Sequence, residues 1–240
     1  MTTTTPPSSH SLRCYITVDF DCSYLPGRRA RNLVLDPDVK LNSALLGDLL
    51  NQGFRRSGDH LYRPHCDQCQ ACLPLRIPVD RFTPSRNQRR CLRNNVDLDH
   101  HAHPASFNQA HFELYRRYLN QRHPESSMTN PSEEEYLSFL CCEGVDTWFH
   151  EFRLDEQLVA VAVTDHVPRG LSAVYTFFEP EMAPRSLGTY AILWQIQAAR
   201  RLGLPWLYLG YWIEESPAMR YKSRFRPAEY FKNGGWTPLI

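Results

Sequence analysis

Three cysteines stand at C-x2-C-x2-C spacing in the segment YRPHCDQCQACLPLR, residues 62–76. Thiolates at this spacing can face one centre, and both a tetrahedral zinc ion and a cubane iron–sulfur cluster take four sulfur ligands. Cys22 can supply the fourth sulfur, and His65 is the alternative fourth ligand. The pattern allows two interpretations, a structural metal site and a set of packed thiols. The predicted ligands of a structural zinc ion or iron–sulfur cluster are Cys22, Cys66, Cys69 and Cys72.

The stretch 76–93 is strongly basic, although the net charge of the whole chain is only +1. It contains six arginines and a single acid, Asp80, so a solvated helix face would lack partners for its salt bridges. Guanidinium groups bind phosphates through paired N–H donors, and interleaved aromatic residues can stack on unpaired bases. We therefore predict a nucleic-acid contact. Its predicted residues are Arg55, Arg56, Arg86, Arg89, Arg90 and Arg93.

The segment RSLGTY, residues 185–190, stands where an acyl-CoA-dependent acetyltransferase carries its phosphate-binding loop. Such a loop has the form Q/R-x-x-G-x-G/A at a helix N-terminus, because the pyrophosphate must approach the backbone closely. Arg185 and Gly188 match this form, whereas Tyr190 stands where Gly or Ala is required. The acyl group is therefore expected on a carrier other than CoA. Aminoacyl-tRNA is the candidate, which makes the basic stretch a tRNA-binding surface.

The order of predicted elements after Ser106 indicates the fold. Two helices at helical apolar spacing come first, and strands follow at 148–154, 158–165 and 171–177. A long helix beginning near SLGTY and the strand WLYLGYWI complete the pattern. This order matches in outline the GCN5-related acyltransferase fold. We predict an α/β (α+β) protein with a mixed, mostly antiparallel sheet that splays near its middle.

The composition and the positions of turn residues predict that the chain has three parts. They are a disordered tail at residues 1–12, an N-terminal cysteine-containing basic domain at 13–104, and an acyltransferase-like domain at 105–240. The hydrophobic fraction of 42% is typical of globular proteins. The chain lacks a signal-peptide pattern and an apolar run of about 20 residues, so we expect no membrane association and a cytoplasmic location. Disulfides are not expected in that compartment.

Five longer segments carry a specific resemblance. They are CSYLPGRRAR, GFRRSGDHLYRPHCDQCQACLPLRIPV, FTPSRNQRR, YTFFEP and YLGYWIEESPAMRYKSRFRPAEYF. Together they resemble the bacterial aspartate/glutamate leucyltransferases, relatives of the eukaryotic arginyl-tRNA–protein transferases, over residues 15–236. The resemblance implies transfer of leucine, with arginine as the alternative, from charged tRNA to proteins beginning with Asp or Glu. The product would be marked for degradation by the N-end rule pathway. The eukaryotic relatives space their cysteines differently, so the resemblance does not carry the metal ligands over.

The implied reaction is aminolysis of an activated ester, which needs no covalent enzyme intermediate and no cofactor. Holding the amine and the carbonyl in attack geometry supplies much of the rate, and the protein must also accept a proton and stabilise the oxyanion. Tyrosine hydroxyls near the splayed strands could orient the carbonyl or the ribose, and a carboxylate could take the proton. The alternative is that these residues are core aromatics and a turn residue. The candidate catalytic residues are Tyr175, Glu179, Tyr208 and Tyr211.

An acceptor that begins with Asp or Glu needs a cation, and arginine matches a carboxylate best. Arg76 is the first choice, although any of these cations could instead contact tRNA phosphates. The leucyl side chain needs an apolar pocket, for which Leu187, Ile192 and Trp212 are candidates unless they are ordinary core residues. The predicted acceptor-binding residues are Arg63, Arg76, Lys222 and Arg224.

Two rival functions fit parts of the pattern. An acetyl-CoA-dependent N-acetyltransferase shares the fold and the acceptor chemistry but should have a small residue at position 190. A non-catalytic, metal-stabilised tRNA-binding protein would bind tRNA whether or not it is charged. The sequence does not distinguish a leucyl from an arginyl donor, because an apolar and a guanidinium-binding pocket can differ by one residue.

Overall fold

The computed structural model describes residues 12–122 and 130–239. The tail predicted at 1–12 lies outside the described residues except for residue 12. The helices are α1 (Ser43–Asn51), α2 (Arg86–Arg93), α3 (Gln109–Arg122), α4 (Glu133–Leu140) and α5 (Leu187–Arg201). The first seven strands are β1 (Cys14–Ile16), β2 (Phe20–Asp21), β3 (Arg29–Ala30), β4 (Asn32–Leu35), β5 (Arg55–Ser57), β6 (His60–Pro64) and β7 (Leu73–Pro78). The remaining strands are β8 (Asp99–Pro104), β9 (Asp146–Leu154), β10 (Gln157–Val167), β11 (Gly170–Phe178), β12 (Trp206–Trp212), β13 (Ala228–Lys232) and β14 (Gly235–Leu239).

Side-chain caps fix where the helices begin. Ser85 and Ser132 each accept from a backbone N–H three residues on and complete capping boxes, so α2 and α4 begin directly after these serines. Asn42 caps α1 through the Leu45 N–H. The cap of α3 is Asn108 rather than Ser106, since the Asn108 side chain accepts from two amides of the first turn.

The large sheet has eight strands in the order β14-β13-β7-β12-β11-β10-β9-β8. Every pair in it is antiparallel except β11 with β12, which pair in parallel over only Gly170–Ser172 and Trp206–Tyr208. Beyond Ser172 the ladder stops although both strands continue. The predicted mixed, mostly antiparallel sheet with a splay near its middle is confirmed.

The large sheet crosses the domain boundary predicted near Pro104. β7 pairs with both β12 and β13, and β8 pairs with β9, so two strands from the predicted N-terminal domain belong to this sheet. A second sheet, β1-β4-β6-β5, contains only residues between Cys14 and Pro64. The predicted boundary therefore does not separate two sheets. Local composition does not show which distant segments pair as strands.

Helices cover the large sheet, and none described could cross a bilayer. α5 packs on β11 and β12, and α3 packs on β10 and β11. No helix within residues 12–122 or 130–239 is both long and apolar enough to span a membrane.

Arg56 joins the small sheet to the large one through a buried ion pair. Its Nε and Nη2 each donate to one oxygen of Asp165 at 2.6 Å, and the two side chains are 1% and 0% exposed. Nη2 also donates to the Leu140 carbonyl at 2.9 Å, and the Thr147 hydroxyl donates to Asp165 at 2.7 Å. Since the Arg56 donors are used inside the protein, the prediction that Arg56 contacts tRNA is wrong.

We expect Arg56→Met to destabilise the protein by about 3–5 kcal/mol, because Asp165 would stay buried without a counter-charge. Urea-induced unfolding followed by tryptophan fluorescence measures the loss. The double variant Arg56→Met/Asp165→Leu should recover part of the stability, since no unpaired charge remains. A double variant as unstable as the sum of both single variants would contradict this account.

Candidate active site

The candidate site lies where β11 and β12 part. We call the gap between the two strands beyond Ser172 and Tyr208 the splay. β12 has a bulge between Tyr208 and Gly210, and Gly210 has a φ of +71°, a conformation that favours glycine. Because the parallel ladder ends at Ser172, the inner edges of both strands beyond it have no partner strand. Backbone carbonyls on these edges need other donors.

Arg55, the residue before Arg56 on β5, reaches into this splay. Its Nη2 donates to the Val174 carbonyl of β11, and its guanidinium lies against Gly210 of β12. A Cβ at position 210 would overlap the guanidinium, so the close approach requires glycine there. Arg55 thus bridges the gap between the two strands and is only partly buried.

Lys222 supplies a second cation to the same splay. Its Nζ donates to the Tyr211 carbonyl of β12 at 2.8 Å, and the residue is 6% exposed. Burial lowers the pKa of Lys222 well below its ordinary value, and the charge of Arg55 lowers it further. In residues 12–122 and 130–239 no carboxylate forms an ion pair with either cation.

Tyr175 lies on β11 beyond the last residue paired with β12, and Glu179 directly follows the end of this strand. Tyr175 packs in an aromatic cluster, 5.3 Å from Phe139 and 6.0 Å from Tyr115 between ring centroids. Burial raises its pKa, so its hydroxyl stays protonated at neutral pH. Glu179 accepts from Nε and Nη2 of Arg117 at 3.2 and 3.1 Å. Both residues remain candidates for the chemistry.

Tyr208 and Tyr211 are core residues of β12. Tyr208 is buried and packs against Trp236, with 6.1 Å between ring centroids. The Tyr211 hydroxyl donates to the Tyr62 carbonyl at 3.0 Å. The Tyr211 hydroxyl proton is thus already used, and the core interpretation holds for both tyrosines.

Arg76 is enclosed between two indoles. Its Cζ lies 3.6 Å from the Trp206 ring centroid and 4.1 Å from that of Trp236. Nε and Nη2 donate to Glu229 at 2.9 and 2.7 Å, and Nη1 donates to Asn51 at 2.7 Å. Since its guanidinium is paired within the protein, the prediction that Arg76 binds the acceptor is wrong. It instead joins β7 to β13 and α1.

The remaining predicted arginines are accessible. Arg63 is partly exposed and lies over the Phe54 ring at 5.1 Å. Four arginines of α2 are exposed, and Gln88 of this helix donates to the Arg224 carbonyl at 3.1 Å, which brings α2 beside the segment that carries Lys222. These exposed residues, which we call the basic surface, are Arg86, Arg89, Arg90, Arg93 and Arg224. None of them has an ion-pair partner in the described part of the chain.

The cysteine loop forms one wall of a cavity of about 490 Å³. Burial raises the pKa of Cys72 to about 12, and the other three thiols contribute to the rise. Four neighbouring thiols are a donor set that suits zinc or an iron–sulfur cluster. No three His, Cys, Asp or Glu side chains of the described residues, however, stand in an arrangement that could hold a metal ion. The structure therefore brings the thiols to one wall without closing a ligand set. The cavity is lined by Cys22, Cys66, Cys69 and Cys72, and also by Tyr62, His65, Arg63 and Tyr211.

Tyr190 packs against the sheet at the start of α5. Its ring lies 5.2 Å from that of Phe152 in an edge-to-face contact, and Arg185 is paired with Asp97 at 2.8 Å. Both side chains are therefore engaged within the protein.

Leu187 and Ile192 are buried in two different core clusters, while Trp212 is only partly buried. The alternative that two of the three pocket candidates are ordinary core residues therefore fits the structure. The place of the leucyl side chain stays a prediction.

Two family models cover most of the chain. The model described as arginine-tRNA-protein transferase, N terminus, matches residues 20–90, and that described as arginine-tRNA-protein transferase, C terminus, matches residues 110–232. The chain belongs to the arginine-tRNA-protein transferase family. The prediction of an aminoacyl-tRNA–protein transferase is confirmed by this family membership.

Individual relatives agree with the family. The chain is 50% identical to the aspartate/glutamate leucyltransferase of Pseudomonas syringae pv. syringae (strain B728a), over 95% of the chain and 97% of that protein. It is also 50% identical to the aspartate/glutamate leucyltransferase of Alcanivorax borkumensis, over 94% of the chain and 93% of that protein. The solved structure of FemX is similar with a TM-score of 0.54 at 8% identity, over 95% of this chain and 88% of that one. This likeness shows that the two chains share a fold.

Sequence reasoning placed Arg55 on the tRNA surface and missed its position in the splay. That position depends on how β5 docks, which no local pattern encodes. One signal was available, since Gly210 interrupts the strand WLYLGYWI, and an isolated glycine inside a strand marks a bulge or a close backbone approach.

We expect Gly210→Ala to lower both stability and transfer activity, because the new Cβ would displace the Arg55 guanidinium. Gly203→Ala is the matched control, since Gly203 has a φ of +67° and no atom within 4 Å of the added Cβ. In both variants alanine must adopt the left-handed backbone conformation, which lowers the free energy of unfolding by about 1–2 kcal/mol. Only Gly210→Ala should lose roughly 1–3 kcal/mol more through overpacking. Equal losses in urea unfolding would show that Arg55 is not held against the strand.

Proposed function

We propose that the protein transfers leucine from leucyl-tRNA to the α-amino group of proteins that begin with Asp or Glu. The observation that carries the proposal is 50% identity, over nearly the whole chain, to proteins named aspartate/glutamate leucyltransferase. The splay supports it, since it holds two cations without an acidic partner in the described residues.

The reaction forms an amide bond between the acceptor nitrogen and the aminoacyl carbonyl carbon, and it breaks the ester bond to the terminal ribose. The nitrogen gives up a proton and the ribose oxygen gains one, so no redox partner is needed. Tyr175, whose hydroxyl stays protonated, donates to the developing oxyanion. Glu179, held by Arg117, accepts the proton from the nitrogen.

The test incubates the protein with radiolabelled leucyl-tRNA, arginyl-tRNA or acetyl-CoA and with peptides that begin with Asp, Glu or Ala. Label from leucyl-tRNA should appear on the Asp and Glu peptides. Label from acetyl-CoA would overturn the proposal in favour of an N-acetyltransferase. Binding of charged and uncharged tRNA alike without any transfer would identify a tRNA-binding protein instead.

The basic surface is proposed to hold the tRNA. Replacing Arg86, Arg89 and Arg90 together by glutamine should weaken tRNA binding and flatten its dependence on salt by about 0.7–0.9 in log–log slope per lost contact. Arg169→Gln, at an exposed turn, is the control. An unchanged slope in filter-binding titrations would show that these arginines form an ordinary solvated face.

A structural metal in the cysteine loop is a further part of the proposal, supported by the four thiols on one cavity wall. Bound zinc or an iron–sulfur cluster would stabilise the thiolates and close the loop, while the chemistry would need no cofactor. Protein purified without oxygen should contain about one zinc ion or cluster per chain, lost in the Cys69→Ser variant. Metal-free protein with unchanged unfolding and full activity would refute this.

We also propose a cytoplasmic location, where charged tRNA is available, and a role of the product in N-end rule degradation. Cell fractionation tests the location. The half-life of a reporter that begins with Asp, in cells with and without this protein, tests the role. An unchanged half-life would contradict it.

A further inference from the structure

The two cations of the splay keep donors that nothing in the described residues uses. A guanidinium has five N–H donors, and Arg55 directs one contact to the Val174 carbonyl. Lys222 makes one hydrogen bond, to the Tyr211 carbonyl. Arg56 and Arg76 differ, because each forms a two-bond ion pair with a carboxylate of the protein.

The electrostatic situation of the splay favours an arriving anion. Arg55 and Lys222 are close enough for the charge of Arg55 to lower the pKa of Lys222. A negative group bound between the two side chains would offset the charge of Arg55 and favour the charged form of Lys222. In residues 12–122 and 130–239 no Asp or Glu pairs with either side chain, so an anion that enters the splay meets N–H donors that no acid of this part of the chain occupies.

The shape of the splay favours a small anion. Arg55 lies between Val174 and Gly210, within the gap between two strands of one sheet. A carboxylate at the end of a peptide side chain can enter such a gap and accept two parallel N–H bonds from a guanidinium. A phosphodiester backbone needs an open surface, which the exposed arginines of α2 provide.

We propose that Arg55 binds the side-chain carboxylate of the acceptor's N-terminal Asp or Glu, with Lys222 donating a second contact. This inference rests on the proposed function and names the residue that sets its acceptor specificity. It replaces Arg76, whose donors are used by Glu229 and Asn51. The bound acceptor would then lie against β11, the strand that carries Tyr175 and ends directly before Glu179.

The experiment compares Arg55→Gln, Arg55→Lys and the control Arg169→Gln. Transfer of leucine is measured to two peptides that differ only in beginning with Asp or Asn. Arg55→Gln should lower kcat/KM for the Asp peptide by roughly 30- to 1000-fold more than for the Asn peptide, chiefly through KM. Arg55→Lys should retain part of the preference, because it keeps the charge but loses the paired geometry. Arg169→Gln should match the parent protein.

A second measurement separates this inference from the proposed function. Binding of the fluorescent Asp and Asn peptides is followed by anisotropy without tRNA, so it requires no transfer. Loss of Asp-peptide binding in Arg55→Gln, with Asn-peptide binding unchanged, supports the assignment even if the parent protein transfers no leucine. If both Arg55 variants keep the parent's Asp preference, the assignment is overturned. Weaker leucyl-tRNA binding with the preference intact would overturn it too and assign Arg55 to the RNA.

Discussion

The buried ion pair between Arg56 and Asp165 is the contact on which the geometry of the splay depends. Arg56 belongs to β5 in the small sheet, whereas Asp165 lies on β10 in the middle of the large one. Two short hydrogen bonds between planar groups fix the position and the direction of β5. Successive side chains of a strand point to opposite faces, so the same docking carries Arg55 into the splay.

The arginines of this chain act in three environments that local composition does not separate. Arg56 and Arg76 are buried and paired with acids 109 and 153 residues away in sequence. Arg55 is partly buried and bonded to a backbone carbonyl, while the arginines of α2 are exposed. Whether an arginine is buried depends on whether the fold brings an acid from a distant part of the chain next to it. An excess of arginine over nearby acids is therefore weak evidence for a nucleic-acid surface until the fold is known.

Features that depend on neighbours in sequence could be predicted. The caps at Ser85 and Ser132, the three strands of the meander and the helix before WLYLGYWI all follow from side chains a few residues apart. The membership of β7 and β8 in the large sheet could not be predicted, because their partners lie far along the chain. The same limit applies to the site, because no local pattern shows that Arg76 pairs with Glu229 or that Arg55 contacts β11 and β12.

The hydrogen bonds from Arg55 and Lys222 to the two strands affect the rate at which substrates bind. Arg55 donates to a carbonyl of β11 and Lys222 donates to a carbonyl of β12, so these two backbone groups are hydrogen-bonded although the strands have parted. A substrate that enters a gap of this kind does not have to break hydrogen bonds between strands first. The strands are already ordered in the free protein, so binding loses less conformational entropy. Association is then governed by diffusion and by the positive field of the adjacent helix α2, which makes the on-rate the step most sensitive to ionic strength.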